Sequence, residues 1–389
     1  MKILVVAPWV PSRRRPRSLG FMQMLSEEHH VDLICATWSR QDELDSAKTP
    51  ASRVATVRDH PLWGAARALC ALVTSRSLQQ AYFESRKFKR ALSANLEESR
   101  PDLVLFCAIR TAGLVALVRE SRTVIDMDEF RSDYYQQLAS TSRHPLWRAL
   151  GRIEAPRMRA AEKRALAGFD SILVCGPNDC DDRIGGLHLV RSPHQITALE
   201  APTPGGATPT DPPSIVFVGR LTYRANVEGI KWFISRVLPL VLRDHPDVRL
   251  RIVGESDRGS REEFDHEAVE FVGPVADVSP YYRGASISIV PILHATGVQM
   301  KLIESLECGV PTIAKTKIAQ AAGVCHEREV LVAESPREWA LAVSRLLEDR
   351  ALAGALAARG REWAQRNHSY AAVKRALDAA LAGLATNHS

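Results

Sequence analysis

Short apolar runs alternate with longer stretches of helical period along most of the chain. KILVVAP, near the start, is followed by a helical stretch at about Ser18 to Glu28 and then by VDLICAT. PDLVLFCA, RTVIDMD and DSILVCG continue the series. Runs this short and uniformly apolar read as strands covered on both faces, and strands that alternate with helices predict a parallel sheet. The pattern breaks in SPHQITALEAPTPGGATPTDPPS, which is rich in Pro, Gly and Thr and has no periodicity. It resumes with SIVFVGR, and from Asn226 to Asp244 the residues Val227, Ile230, Phe233, Ile234, Val237 and Val241 share one helical face. VRLRIVGE, VEFVGPV and ASISIVPI read as strands, followed by a helix at about Val298 to Cys308 and the strand VPTIAKT. Two closing helices are expected near Pro336 to Glu348 and Tyr370 to Leu384.

These elements predict an α/β protein with two Rossmann-like, doubly wound parallel-sheet domains facing across a cleft. The expected boundaries are residues 1–191 for the first domain, 192–213 for a linker and 214–368 for the second domain. The closing segment, 369–389, is expected as a helix free to pack back on the first domain. In such sheets ligands bind beyond the carboxyl ends of the strands.

Composition narrows the class. The 389 residues are 46% hydrophobic and 25% charged, ordinary for globular domains. MKILVVAPW lacks the apolar core and cleavage site of a signal peptide, and no run approaches the roughly 20 apolar residues of a membrane span, so a cytoplasmic protein is expected. Seven cysteines without a Cys-x-x-Cys pair read as reduced thiols, mostly buried, rather than as a zinc site. The net charge of +6 is compatible with a phosphorylated ligand, an anionic membrane or nucleic acid. The basic residues carry no nucleic-acid motif, so that partner is not expected. The basic stretch Arg143 to Arg164, with Trp147, Leu150, Ile153 and Met158, is compatible with peripheral contact at an anionic membrane face.

Candidate chemistry concentrates in PILHATGVQMKLIESLECGVPTIAKT, from Pro291 to Thr316. A strand ends at Pro291, a loop with Gly297 follows, and the next helix carries Lys301 and Glu304 on one face. A helix N-terminus after a glycine offers free N–H groups and partial positive charge to a diphosphate, and Glu304 is placed to accept hydrogen bonds from a sugar diol. A solvated Lys–Glu pair would show the same spacing. In the first half, TVIDMDEF ends a strand with Asp126 and Asp128, candidates for binding sugar hydroxyls or for capping the next helix. The loop APWVPSRRRPRSLG brings Arg13 and Arg14 to the end of the first strand and lacks G-x-G-x-x-G, which argues against a dinucleotide enzyme.

The segment from Pro291 resembles the donor-site signature of the family 4 retaining glycosyltransferases, which have the GT-B fold. FVGRLTYRANVEGIKWF, VEFVGPVADVSPYYRGASISIVPI and EREVLVAESPREWALAVSRLLED are similar to the family's other donor-domain segments in order and spacing. The likeness covers most of residues 214–350 and is strongest to a bacterial subgroup associated with polysaccharide assembly. It implies transfer of a sugar, with retention and without a metal or other cofactor, from a nucleotide-diphosphate donor. The implied acceptor is a glycan, a lipid-linked molecule or a small natural product. Of the family's two glutamates, the second corresponds to Glu304 and the first falls on Thr296. The family's diphosphate-binding Arg corresponds to Arg220. Its Lys position falls on Ala225, and the neighbouring Arg224 is expected to take over. On this resemblance Arg220, Arg224, Glu304 and Asp128 form the expected catalytic set. Gly219, Gly273, Val275, His294, Thr296, Gly297, Val298, Gln299 and Lys301 surround the donor, with Arg13, Arg14, Asp126 and Asp128 on the acceptor side. A nucleotide-sugar isomerase of the same architecture and a non-catalytic nucleotide-sugar or glycan binder stay open as alternatives.

Overall fold

The computed structural model describes residues 1–12, 15–142, 144–180, 184–194, 212–256, 259, 264–294 and 297–385. Arg13, Arg14, Thr296 and most of the expected linker fall outside them. The chain divides into two compact units, Met1–Pro193 with Val373–Ser389, and His194–Ala372.

In the first unit the strands are β1 (Lys2–Ala7), β2 (His30–Thr37), β3 (Arg53–Arg58), β4 (Leu103–Cys107), β5 (Arg122–Asp128), β6 (Ser171–Val174) and β7 (Leu187–Leu189). They form one parallel sheet in the order β3-β2-β1-β4-β5-β6-β7. The apolar runs are explained by burial on both faces. Ile3 and Val5 point into a core with Phe21, Met22 and Leu25, whereas Leu4 and Val6 point into a second core with Phe88, Leu92 and Met158. Val373, Leu377, Ala380 and Leu381, on the helix Tyr370–Ala385, join the first of these cores. The sequence pattern does not reveal β3, whose single buried residue is Val57, because an edge strand has little apolar contrast.

The second unit contains β8 (Ser214–Val218), β9 (Arg249–Val253), β10 (Val269–Gly273), β11 (Ile287–Val290), β12 (Thr312–Ala314) and β13 (Leu331–Val332). Their order is β10-β9-β8-β11-β12-β13, again parallel. The single helix expected over Asn226–Asp244 is instead three pieces: Arg224–Trp232, a wider π-turn at Phe233–Val237, and Leu238–Asp244. Pro239 has no N–H for the carbonyl of Ser235, and the ladder widens so that the Leu238 N–H bonds the Phe233 carbonyl. Pro336–Glu348 forms as expected, started by a reciprocal cap between Ser335 and Glu338 and anchored by the buried Trp339. Between it and the last helix lies a further helix, Arg350–His368, that the sequence pattern does not disclose. Its alanine-rich sequence blurs the boundary between buried and exposed faces.

Candidate functional site

β8 and β11 lie side by side at the centre of the second sheet. From β8 the chain proceeds through β9 and β10 on one side, and from β11 through β12 and β13 on the other. The strand order therefore reverses between them, which opens a crevice at their carboxyl ends. Two connections border it: Gly219 to Tyr223 after β8 and, among the described residues, Pro291 to His294 and Gly297 to Gln299 after β11. Each leads into a helix without a side-chain cap, Arg224–Trp232 and Met300–Glu307. Their first N–H groups are thus left for another acceptor, and both termini carry partial positive charge.

Glycine lets these elements meet closely. A Cβ on Gly229 would lie 2.5 Å from the Pro291 carbonyl oxygen, so only glycine allows the first helix to press against the end of β11. Gly297 adopts φ 75°, turning the second connection toward its helix.

Lys301 and Glu304 lie on one face of the helix Met300–Glu307, as their spacing predicts, but each takes other partners rather than a direct ion pair. The Lys301 Nζ donates to Asn226 Oδ1 at 3.1 Å and to Gln299 Oε1 at 3.4 Å, and lies 5.8 Å from the Phe217 ring centre. Asn226, buried, also donates from Nδ2 to the Arg220 carbonyl at 2.8 Å. One amide thus joins the turn after β8 to the helix after β11. Burial lowers the Lys301 amine to about 8, with Glu304 opposing the shift. Burial raises the Glu304 carboxyl to about 7, against the pull of Lys301 and of the Tyr282 hydroxyl. That hydroxyl, on a fully buried ring, donates to the Lys301 carbonyl at 3.1 Å and reaches Glu304 Oε2 at 3.5 Å. Asn226 and Tyr282 are absent from the sequence-based set, because the residues they join are far away in the chain.

The other expected donor residues are spread around this centre. Arg220 is exposed and makes no ion pair with a described residue. Arg224 opens its helix and donates to Glu228 Oε1 at 2.7 Å, one turn on. His294 is half-buried, and burial lowers its pKa, with Lys317, Arg224 and Lys315 adding to the shift and Glu228 opposing it. Gly219 receives its place from an N–H bond of 2.9 Å to the Val253 carbonyl. Val298 packs on the main core of the unit, and Gln299 precedes the second helix. Gly273 ends β10 with φ 89°, two strands from β8, and Val275 packs in a small cluster with Tyr282.

Asp126 and Asp128 lie at the end of β5, in the first unit. Asp126 is buried and receives Arg17 Nε at 2.8 Å and Nη2 at 2.7 Å. Arg17, itself buried, also donates to the Val190 carbonyl at 2.6 Å. Asp128 is different: its side chain is 54% exposed, and its backbone is in the left-handed region at φ 62°. A non-glycine residue there stores strain, and its Oδ1 lies 3.6 Å from the Arg17 Nε, so both carboxylates share one guanidinium. Among the described residues no group of three His, Cys, Asp or Glu is placed to hold a metal ion. Cys35, Cys107, Cys175 and Cys308 are buried as expected, but Cys70 and Cys325 are exposed because they fall at helix and turn ends.

The two parallel-sheet units have the GT-B glycosyltransferase fold, and residues 212–349 match the family model described as glycosyl transferases group 1. A sucrose-phosphate synthase from Thermosynechococcus elongatus superposes with a TM-score of 0.72 at 17% identity, over 100% of both chains. The Anabaena protein HepE, solved in complex with UDP, superposes with a TM-score of 0.66 at 11% identity, over 98% of this chain and 100% of that one. An uncharacterized protein of the cps region of Klebsiella pneumoniae is 24% identical over 43% of this chain and 44% of its own length. The chain thus spans less than half the length of the curated relatives it matches. No helix of the described residues is long and apolar enough to cross a membrane.

Proposed function

We propose that this protein is a glycosyltransferase that takes a sugar from a nucleotide-diphosphate donor bound at the β8–β11 crevice. The observation that carries the reading is the bond from Lys301 to Asn226 between two uncapped helix starts, with Glu304 one turn along the second helix beside the Tyr282 hydroxyl. The N–H groups near Gly297 to Gln299, with Lys301 and Arg220, would hold the diphosphate and stabilise the charge that develops as it leaves. Glu304 would accept the ribose hydroxyls, while Tyr282 and Asn226 position the pair. Lys301, rather than Arg224 alone, supplies a cation near the missing Lys position. Support comes from the family match over 212–349 and from the similarly folded protein solved with UDP. The polysaccharide-region relative supports a glycan or lipid-linked acceptor. Retention at the anomeric carbon and independence of metal follow from the family resemblance.

The test is Glu304→Ala. UDP affinity should fall by about tenfold or more and sugar transfer should drop severely, with the far-ultraviolet spectrum unchanged. Near-normal transfer by this variant would refute the assignment. Release of an epimerised sugar without acceptor would favour the isomerase alternative.

A further inference from the structure

The first sheet also reverses its strand order, between β1 and β4, where the chain turns away on either side. The crevice at their carboxyl ends is not lined by any residue assigned to the donor above. Trp9 follows β1 and Arg110 follows β4. The Arg110 guanidinium lies 5.3 Å from the Trp9 ring centre, and that of Arg15 lies 4.5 Å from the same ring. Arg110 Nε donates to Gln79 Oε1 at 3.0 Å, and the Gln79 amide donates in turn to the Tyr135 hydroxyl. Tyr135 packs edge-on against Tyr134 at 5.4 Å, and the Arg131 guanidinium sits 4.6 Å over Tyr134. Three arginines from three segments are therefore tied into one aromatic-walled group.

Glu129 is engaged by Arg131. The terminal nitrogens of Arg110 have no partner among the described residues, and the buried Nε of Arg131 has none either. Burial lowers Arg110 to about 10, with Arg131 and Arg15 pushing the same way and Tyr135 and Glu129 opposing them. Crowding guanidinium groups in a half-buried crevice costs free energy, which an anion with several oxygens would recover through forked hydrogen bonds.

We propose that the β1–β4 crevice is a second anion site, which binds a phosphate or diphosphate group carried by the acceptor, with Arg110 as its centre. This rests on the reading that the donor occupies the β8–β11 crevice. The alternative source of the same chemistry is the donor's own diphosphate, and saturation with UDP separates the two.

The experiment is calorimetric titration of the full-length protein with inorganic pyrophosphate in the presence of saturating UDP. The wild type should still bind pyrophosphate. Arg110→Gln should weaken that binding by roughly tenfold, while Arg110→Lys should retain part of it. UDP affinity should change less than about twofold in both variants, and an unchanged far-ultraviolet spectrum and melting temperature show that the first unit still folds. Complete competition between UDP and pyrophosphate, with Arg110→Gln weakening both alike, would overturn the proposal. So would pyrophosphate binding that is indifferent to Arg110→Gln. A protein that does not bind UDP, yet binds pyrophosphate through Arg110, would refute the donor assignment and leave the anion site standing.

Discussion

Lys301 and Glu304 show how burial turns an ordinary helical pair into a tuned one. On the surface, three-residue spacing would give a solvated ion pair worth a few tenths of a kcal/mol. Here burial moves the two groups toward each other, to about 8 and about 7. The sign of the resulting pH dependence follows. A carboxyl whose pKa is raised by folding resists ionisation in the native state. The cost is absent below the free value near 4.5 and complete above about 7. Glu304→Gln should therefore raise the melting temperature at about pH 8, and the gain should shrink as pH falls to about 5. An equal gain at both values would mean that burial does not burden this carboxyl. The pair itself was legible, since its spacing and the resemblance both single out these residues. Asn226 was not, because its bond to Lys301 spans 75 positions. Arg17 reads as one more residue of the basic run, yet the structure buries it against Asp126.

At the scale of elements, the close approach of the helix Arg224–Trp232 to the end of β11 sets the width of the crevice proposed to hold the donor. Gly229→Ala puts two effects in opposition. Alanine favours helix by up to about 1 kcal/mol, but its Cβ would lie 2.5 Å from a backbone carbonyl. Overpacking costs about 1–3 kcal/mol, and backbone atoms yield less readily than side chains, so a net loss of stability is expected in urea unfolding. A more stable variant would show that the helix has room to retreat. Strands buried on both faces, such as β1 and β4, were legible as apolar runs. The edge strand β3 and the alanine-rich helix Arg350–His368 were not, because neither separates polar from apolar positions sharply. Pro239 was visible in the sequence, but not the register change by which the helix absorbs it.

For the whole molecule, one feature concerns a core and one a surface. The helix Tyr370–Ala385 contributes Val373, Leu377 and Leu381 to the first unit, although the rest of that unit ends at Pro193. The helix Pro145–Gly168 leaves Leu146, Trp147 and Ile153 exposed beside Arg148 and Arg152. Apolar side chains among arginines support the proposed contact with an anionic bilayer. The protein should sediment with phosphatidylglycerol-rich vesicles, and Trp147→Glu should reduce the bound fraction several-fold. Equal sedimentation with neutral vesicles, or none with anionic ones, would remove this contact from the account.

The order of apolar runs and helical stretches determined the α/β class by itself, because burying a sheet on both faces demands that pattern locally. It also determined that a helix start would follow Gly297. Which side chains meet there was decided only by tertiary structure. Strand order places β8 beside β11 and β1 beside β4, and that order is fixed by the packing of whole layers. Local sequence therefore carries the parts of each crevice, while the partners of Lys301, Glu304 and Arg110 depend on residues brought together from distant segments.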